Sequence, residues 1–190
     1  MWVIEFLTYA PLGLVLIYCV LIYNGLVRLK NNVAKSFANI EVLLKQRHAE
    51  LPRLAEICKG IMTHERNLFA SLAKARERVD LAQEEKDVKA LGRAETEIRQ
   101  AVHQVFLRAE AYPELKANEN MLALQERIIA LEDAIADRRE LFNESVQLNN
   151  TRIGQLPDVF FARLFDFGAF EYLKFEDEAI EPIAIAGIYD

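Results

Sequence analysis

A chain of 190 residues that holds only two cysteines, seven glycines, five prolines, one tryptophan and three serines is poor in several kinds of chemistry at once. Cys19 lies in an apolar stretch and Cys58 stands alone, so no disulfide framework, four-cysteine zinc site or CxxC redox pair can be assembled. Scarce glycine and proline leave little material for tight turns, which argues against an all-β fold. Basic excess is missing too: 23 Lys and Arg against 29 Asp and Glu give a net charge of −6. A phosphate backbone attracts the opposite balance, so nucleic acid is not an expected partner. There is no Gly-rich phosphate loop and no Gly-x-Ser-x-Gly elbow. His64-Glu65 opens like a zinc-protease helix, but the second histidine would fall at Leu68. None of His48, His64 and His103 has the Glu three residues before it that a di-iron bundle needs. No catalytic group, cofactor or metal is therefore expected.

What the chain does have is helix-forming composition and one long uncharged run. No charge occurs between Glu5 and Arg28, which leaves residues 6–27 uncharged. As a helix that run measures about 33 Å, enough for the ~30 Å hydrocarbon layer. Trp2, Tyr9 and Tyr23 stand near its ends, where aromatic rings favour the lipid–water boundary. A single membrane span is the reading; a cleaved signal peptide is the alternative, against which stand the missing basic start and the missing small-x-small site. Pro11 either breaks this helix or begins it. Lys and Arg resist translocation, and Arg28, Lys30, Lys35 and Lys45 follow the run while none precedes it. An inner or plasma membrane location, with the body on the cytoplasmic side, is the expectation.

Past residue 27, apolar residues recur at spacings of three and four, the period of one helix face. The first stripe is Val33, Phe37, Ile40, Leu44 and Leu51, interrupted by Arg47, with Pro52 expected to end or kink the helix. A second runs from Leu54 through Ile57, Ile61, His64, Leu68, Leu72, Ala75 and Val79 to Ala82, before the charged run 83–87. The third, Val88, Leu91, Ile98, Val102, Val105 and Ala109, stops at Tyr112-Pro113. The fourth follows the capping residue Asn118 with Met121, Leu124, Ile128, Leu131, Ile135 and Phe142, and ends at Gly154 and Pro157. The economical fold is all-α: the membrane helix continues into an elongated antiparallel bundle that buries the four stripes against each other. On this reading residues 1–27 are the anchor, 28–155 the bundle and 156–190 a separate tail. Arg47 and His64 both lie on apolar stripes, so a buried polar cluster of Arg47, His64 and Glu65 that sets helix register is expected.

The tail has its own composition. Phe160, Phe161, Phe165, Phe167, Phe170 and Tyr172 crowd it together with Phe175, ahead of Glu176-Asp177-Glu178. Residues 151–190 carry three basic and eight acidic side chains, whereas residues 28–60 carry seven basic and three acidic. These aromatics either cap the bundle or form a docking surface for a partner or the membrane interface. Residues 180–188 read as a strand that pairs with another chain or as a disordered end.

Several stretches resemble the LemA family. They are Tyr23-Asn24-Gly25-Leu26-Val27-Arg28-Leu29, the run from Ala38-Asn39-Ile40 through Arg47-His48 to Leu51-Pro52, and Ala75-Arg76. The resemblance continues in Ala109-Glu110-Ala111-Tyr112-Pro113-Glu114-Leu115-Lys116-Ala117-Asn118, in Phe142-Asn143 and in Asn150-Thr151. Phe142 stands where the family usually has Tyr, and Leu148-Asn149 lacks a second Tyr. The resemblance implies a single-pass membrane protein with a helical bundle, no established catalytic activity, and a link to membrane organisation or to quality control beside a membrane metalloprotease of the HtpX type. The expected partners are the lipid bilayer, further copies of the chain and another membrane protein. A membrane-anchored scaffold is the first reading, and an accessory subunit of such a protease the second.

Overall fold

The computed structural model describes residues 2–175, with side chains from Tyr9 onward. Six helices follow one another: α1 Trp2–Lys59, α2 Arg66–Glu85, α3 Val88–Ala109, α4 Pro113–Lys116, α5 Glu119–Gly154 and α6 Asp158–Leu164. The described chain is all-α, as its composition and periodicity predict, and contains no strand. Residues 180–188, read as a strand or a free end, lie outside the described residues, as does the acidic run 176–178.

The described residues divide into two compact units. One joins residues 39–140 with 171–175. Its core is made by the four stripes: Ile40, Leu44, Leu51 and Leu54 of α1, Leu72, Ala75 and Val79 of α2, Leu91, Ile98 and Val102 of α3, and Met121, Ile128 and Ile135 of α5 are all buried. Each such side chain contributes roughly 1.5–3 kcal/mol on burial, and together they offset the ordering entropy of the chain. Tight turns make neighbouring helices antiparallel. Lys86 closes α2 in the left-handed region, at a φ of 54°. Asp87 then caps α3, its Oδ1 accepting from the backbone N–H groups of Lys89 and Ala90 at 2.9 Å. Tyr112-Pro113 redirects the chain into the single turn of α4. Asn118 Oδ1 then accepts from Asn120 N at 2.9 Å and Met121 N at 3.2 Å, starting α5 where its sequence predicts.

Two expectations about α1 need correction. Pro52 does not end the helix, because α1 continues to Lys59. A proline inside a helix forfeits a hydrogen bond and costs about 3 kcal/mol. Pro52, however, is exposed while Leu51, Leu54 and Cys58 beside it are buried, so packing on both sides of the break holds the helix together. Pro11 likewise lies inside α1. Consequently Leu54 belongs to the first stripe, and the second helix begins only at Arg66, after a turn over residues 60–65.

The other unit joins residues 2–38 with 141–170. Here α1 and α5 meet through Phe37 and Phe142, with ring centroids 5.5 Å apart, and through Ser36 and Ser145, whose hydroxyls lie 3.0 Å apart. Ala162 of α6 is buried with Ile22 and Leu26 of α1. Between Tyr9 and Ile22 no large apolar side chain is buried. Leu12, Leu14, Val15, Leu16, Ile17, Tyr18, Val20 and Leu21 are all exposed, and α1 is long and apolar enough to cross a membrane.

After α6 the chain is extended, and α3 accommodates it through a glycine. A Cβ on Gly92 would collide with the carbonyl oxygen of Lys174, while Leu173 and Phe175 on either side are buried. Gly92→Ala is therefore expected to displace residues 171–175 and to cost about 1–3 kcal/mol, as overpacking does. A lower unfolding temperature together with faster proteolysis at Lys174 would register the displacement.

Candidate functional site

The polar residues of the first unit converge on one level of α1, α3 and α5. Arg47 takes a core position between Leu44 and Leu51, and Glu95 takes the matching position between Leu91 and Ile98. They are 2 % and 1 % exposed, and the guanidinium of Arg47 donates from Nη2 to Glu95 Oε2. Glu132 of α5 adds a second carboxylate, with its Oε1 3.8 Å from Arg47 Nη1. Burial lowers the Arg47 pKa from its ordinary value to about 10, with Glu132 acting in the opposite sense and Arg99 in the same one. Arg47 thus stays charged at neutral pH. Glu132 is pushed up, again first by burial, while Arg47 and Arg99 pull it down.

Outward from this pair, α1 meets α2 at His48. Arg76 Nε donates to His48 Nε2, and Asp80 Oδ1 lies 3.6 Å from the same nitrogen. Burial lowers the His48 pKa below its ordinary 6.5, Asp80 opposes the shift, and the charges of Arg76 and Arg47 add to it. On the opposite side of α1, buried Glu50 accepts from Arg53 at 3.1 Å and from Arg127 of α5 at 2.6 Å. Glu50, Arg53, Glu56 and Ile57 face Leu124, Glu126 and Arg127 across an open groove of about 720 Å³. Cys58 is a core thiol 3.9 Å from Met121 Sδ, and burial pushes it up to about 11, so it is protonated and unreactive at neutral pH. Among the described residues no three His, Cys, Asp or Glu side chains are placed to hold a metal ion.

The cluster expected from the sequence is corrected in two of its three members. Arg47 is buried and paired, as an arginine on an apolar stripe must be, but its acids are Glu95 and Glu132. His64 is exposed and Glu65 half-buried in the turn before α2. The periodicity that placed His64 on a stripe does not survive the end of α1 after Lys59. Glu95 was missed although a signal exists: the third stripe jumps seven residues from Leu91 to Ile98, and a carboxylate stands at the skipped position. The fourth stripe makes the same jump from Ile135 to Phe142, and there Arg139 lies 4.5 Å over the ring of Phe175.

The aromatic tail is divided between uses. Tyr23 sets its ring edge-on against Phe165 at 4.9 Å and Phe167 at 5.8 Å. Phe161, Phe167 and Phe170 are half-buried, whereas Phe160, Phe165 and Tyr172 stay exposed. Asn150 holds the extended segment as a backbone would: its Oδ1 accepts from Phe170 N and its Nδ2 donates to Phe170 O, both at 2.9 Å. Asn149 donates to the carbonyl of Gly168 at 3.3 Å. Of the remaining motif positions, Asn24, Pro52 and Pro113 are exposed, Asn143 and Tyr112 half-buried, and Arg76 and Asn118 make the bonds given above.

Removing one partner of the buried pair, by Arg47→Leu or Glu95→Leu, is expected to cost about 3–5 kcal/mol because it strands a charge in the core. Combining the two should restore most of the loss, which chemical denaturation of all three variants would measure. His48 makes a second expectation. Its folded pKa lies below its unfolded one, so the unfolded chain binds the proton first as pH falls. Its stabilising contribution is complete above 6.5 and is lost as pH drops through the folded value. Between about pH 7 and about pH 5 the unfolding temperature should fall more steeply for the native chain than for His48→Gln.

No curated protein matches this sequence. The sequence pattern of one family does, over residues 36–186, a stretch that takes in Pro52, Arg76, the turn at Tyr112-Pro113, the cap at Asn118 and the asparagine at 150 that grips the returning chain. Most of the molecule is covered by that match, and the chain belongs to the LemA family.

Proposed function

We propose that this protein is a membrane-anchored helical scaffold, acting by contact rather than by catalysis, that self-associates and organises other membrane proteins or the shape of the membrane. The observation that carries this reading is the abrupt change in α1. From Leu12 to Leu21 its large apolar side chains point outward on every side, and from Ile22 onward the same unbroken helix buries a single stripe. A helix that is apolar all round and covered by no protein finds its solvent in a bilayer.

Further support comes from how the polar groups are used. Arg47, Glu95, Glu132, His48 and Glu50 are held by one another or by neighbouring arginines, so the described unit concentrates its strong polar interactions on packing its own helices. The groove beside Glu50 carries charges of both signs, which suits a polar protein face better than a small substrate. The basic flank Arg28, Lys30, Lys35 and Lys45 favours a cytoplasmic body.

Extraction in mild detergent followed by mass measurement tests the reading, and an assembly of several copies is the expected result. A one-to-one complex with a membrane protease would replace scaffolding by an accessory role. A reporter active in one compartment only, fused to the C-terminus, should be active in the cytoplasm, and activity outside would overturn the orientation.

A further inference from the structure

In the unit of residues 2–38 and 141–170, the contact of α6 with α1 fixes a height. Ala162 is buried against Ile22 and Leu26, with Ile153, Phe161 and Phe167 packed around them, and Tyr23 is edge-on to Phe165. Ile22 precedes Val27, the last residue of the uncharged run, by five positions. At a rise of 1.5 Å per residue, α6 therefore lies within about 8 Å of the level at which charge resumes on α1.

At that level α6 leaves apolar surface uncovered. Phe160 is 65 % exposed and Leu164 74 %, and their spacing of four puts them on one helix face. Leu156 and Phe165 beside them are exposed as well. Large apolar side chains grouped in this way mark a contact surface. On α1, Ile17, Val20 and Leu21 are exposed just before the residues that hold α6. Arg28, Lys30 and Arg163, also exposed and in the same unit, suit anionic headgroups. The one buried carboxylate of α6, Asp158, is paired with Arg152 at 2.8 Å and adds no free charge to the face.

We propose that α6 is a second membrane-contact element, with Phe160 and Leu164, flanked by Leu156 and Phe165, seated in the headgroup–acyl boundary of the bilayer that α1 crosses. The inference rests on the reading of α1 as a membrane span. A bilayer around α1 needs no additional partner to reach this face, since α6 is fixed at the end of the apolar run by Ile22, Tyr23 and Leu26. A helix of seven residues has too little area to hold a membrane by itself. Tethered to a transmembrane helix it needs little affinity, because the surface is presented at high effective concentration. Seated there, it fixes the rotation and tilt of α1, which a hydrophobic run of this length leaves free.

The single tryptophan makes the test direct. In the full chain carrying Trp2→Phe, one tryptophan is introduced at a time by Phe160→Trp, Leu164→Trp, Val15→Trp or Leu107→Trp. Each protein is reconstituted in phosphatidylcholine–phosphatidylglycerol vesicles whose acyl chains carry bromine either high or near the chain end. Phe160→Trp and Leu164→Trp should be blue-shifted and lose most emission to the high bromines. Val15→Trp should lose most to the deep ones, and Leu107→Trp should lose none. Quenching of Val15→Trp with neither Phe160→Trp nor Leu164→Trp quenched overturns the proposal and leaves the span standing. A blue shift at those two positions without quenching means that protein covers them, and overturns it equally. An unquenched Val15→Trp overturns the span reading and this inference with it.

Discussion

The buried pair of Arg47 and Glu95 is the constraint on which the unit of residues 39–140 depends. A charge removed from water is tolerated only where its partner sits at the same level, so α1 and α3 have one admissible register. Sliding either helix by one turn, about 5.4 Å, would strand both ions among leucines and isoleucines. Apolar stripes alone lack this property. Leu44 against Ile98 packs nearly as well as Leu44 against Leu91, because a heptad seam repeats itself. The pair is therefore read as a device of specificity whose net contribution to stability is small. Glu132 ties α5 to the same level, and the burial that raises its pKa is the cost of placing a second acid beside one arginine.

Local rules account for most of what was legible in advance. Asp87 and Asn118 cap helices because their short side chains reach the free N–H groups of a first turn, an interaction that needs no tertiary context. Tyr112-Pro113 and Gly154 mark helix ends for equally local reasons. Pro52 failed as a signal because its effect is local while the forces that overrule it come from helices far away in sequence. His64 failed by extrapolation: a period holds only within one helix, and the turn after Lys59 resets the phase. The partner of Arg47 depends on which helices become neighbours. It could have been narrowed down, however, since each interrupted stripe has a charge at its skipped position, and buried charges must pair.

One of these skipped positions, together with Gly92 and Asn150, explains how the chain after α6 is received. Arg139 offers its guanidinium face to Phe175, and Gly92 removes the one side chain that would obstruct the backbone at Lys174. The motif asparagine at 150 meets both backbone groups of Phe170, which an extended segment without a neighbouring strand would otherwise leave to water. None of these three contacts follows from composition. Aromatic crowding in the tail signalled contact, but its division into inward rings, such as Phe167 against Tyr23, and outward ones, such as Phe160, is a property of the packed chain.

From this division follows the separation between what the molecule needs to fold and what it has left for others. Arg47, Glu95 and Glu50 are occupied by ion pairs within the unit and the core stripes are consumed by packing, while Nδ1 of His103 and Oε1 of Glu132 stay buried without a hydrogen bond. Among the surfaces of the described residues that stay open are the all-round apolar run of α1, the exposed face of α6, and the groove of mixed charge beside Glu50. Apolar surface without a rim of its own asks for a solvent, whereas a groove with charges of both signs asks for a complementary protein face. The apolar surface is what the proposed anchoring rests on, and the groove is what the proposed scaffolding rests on.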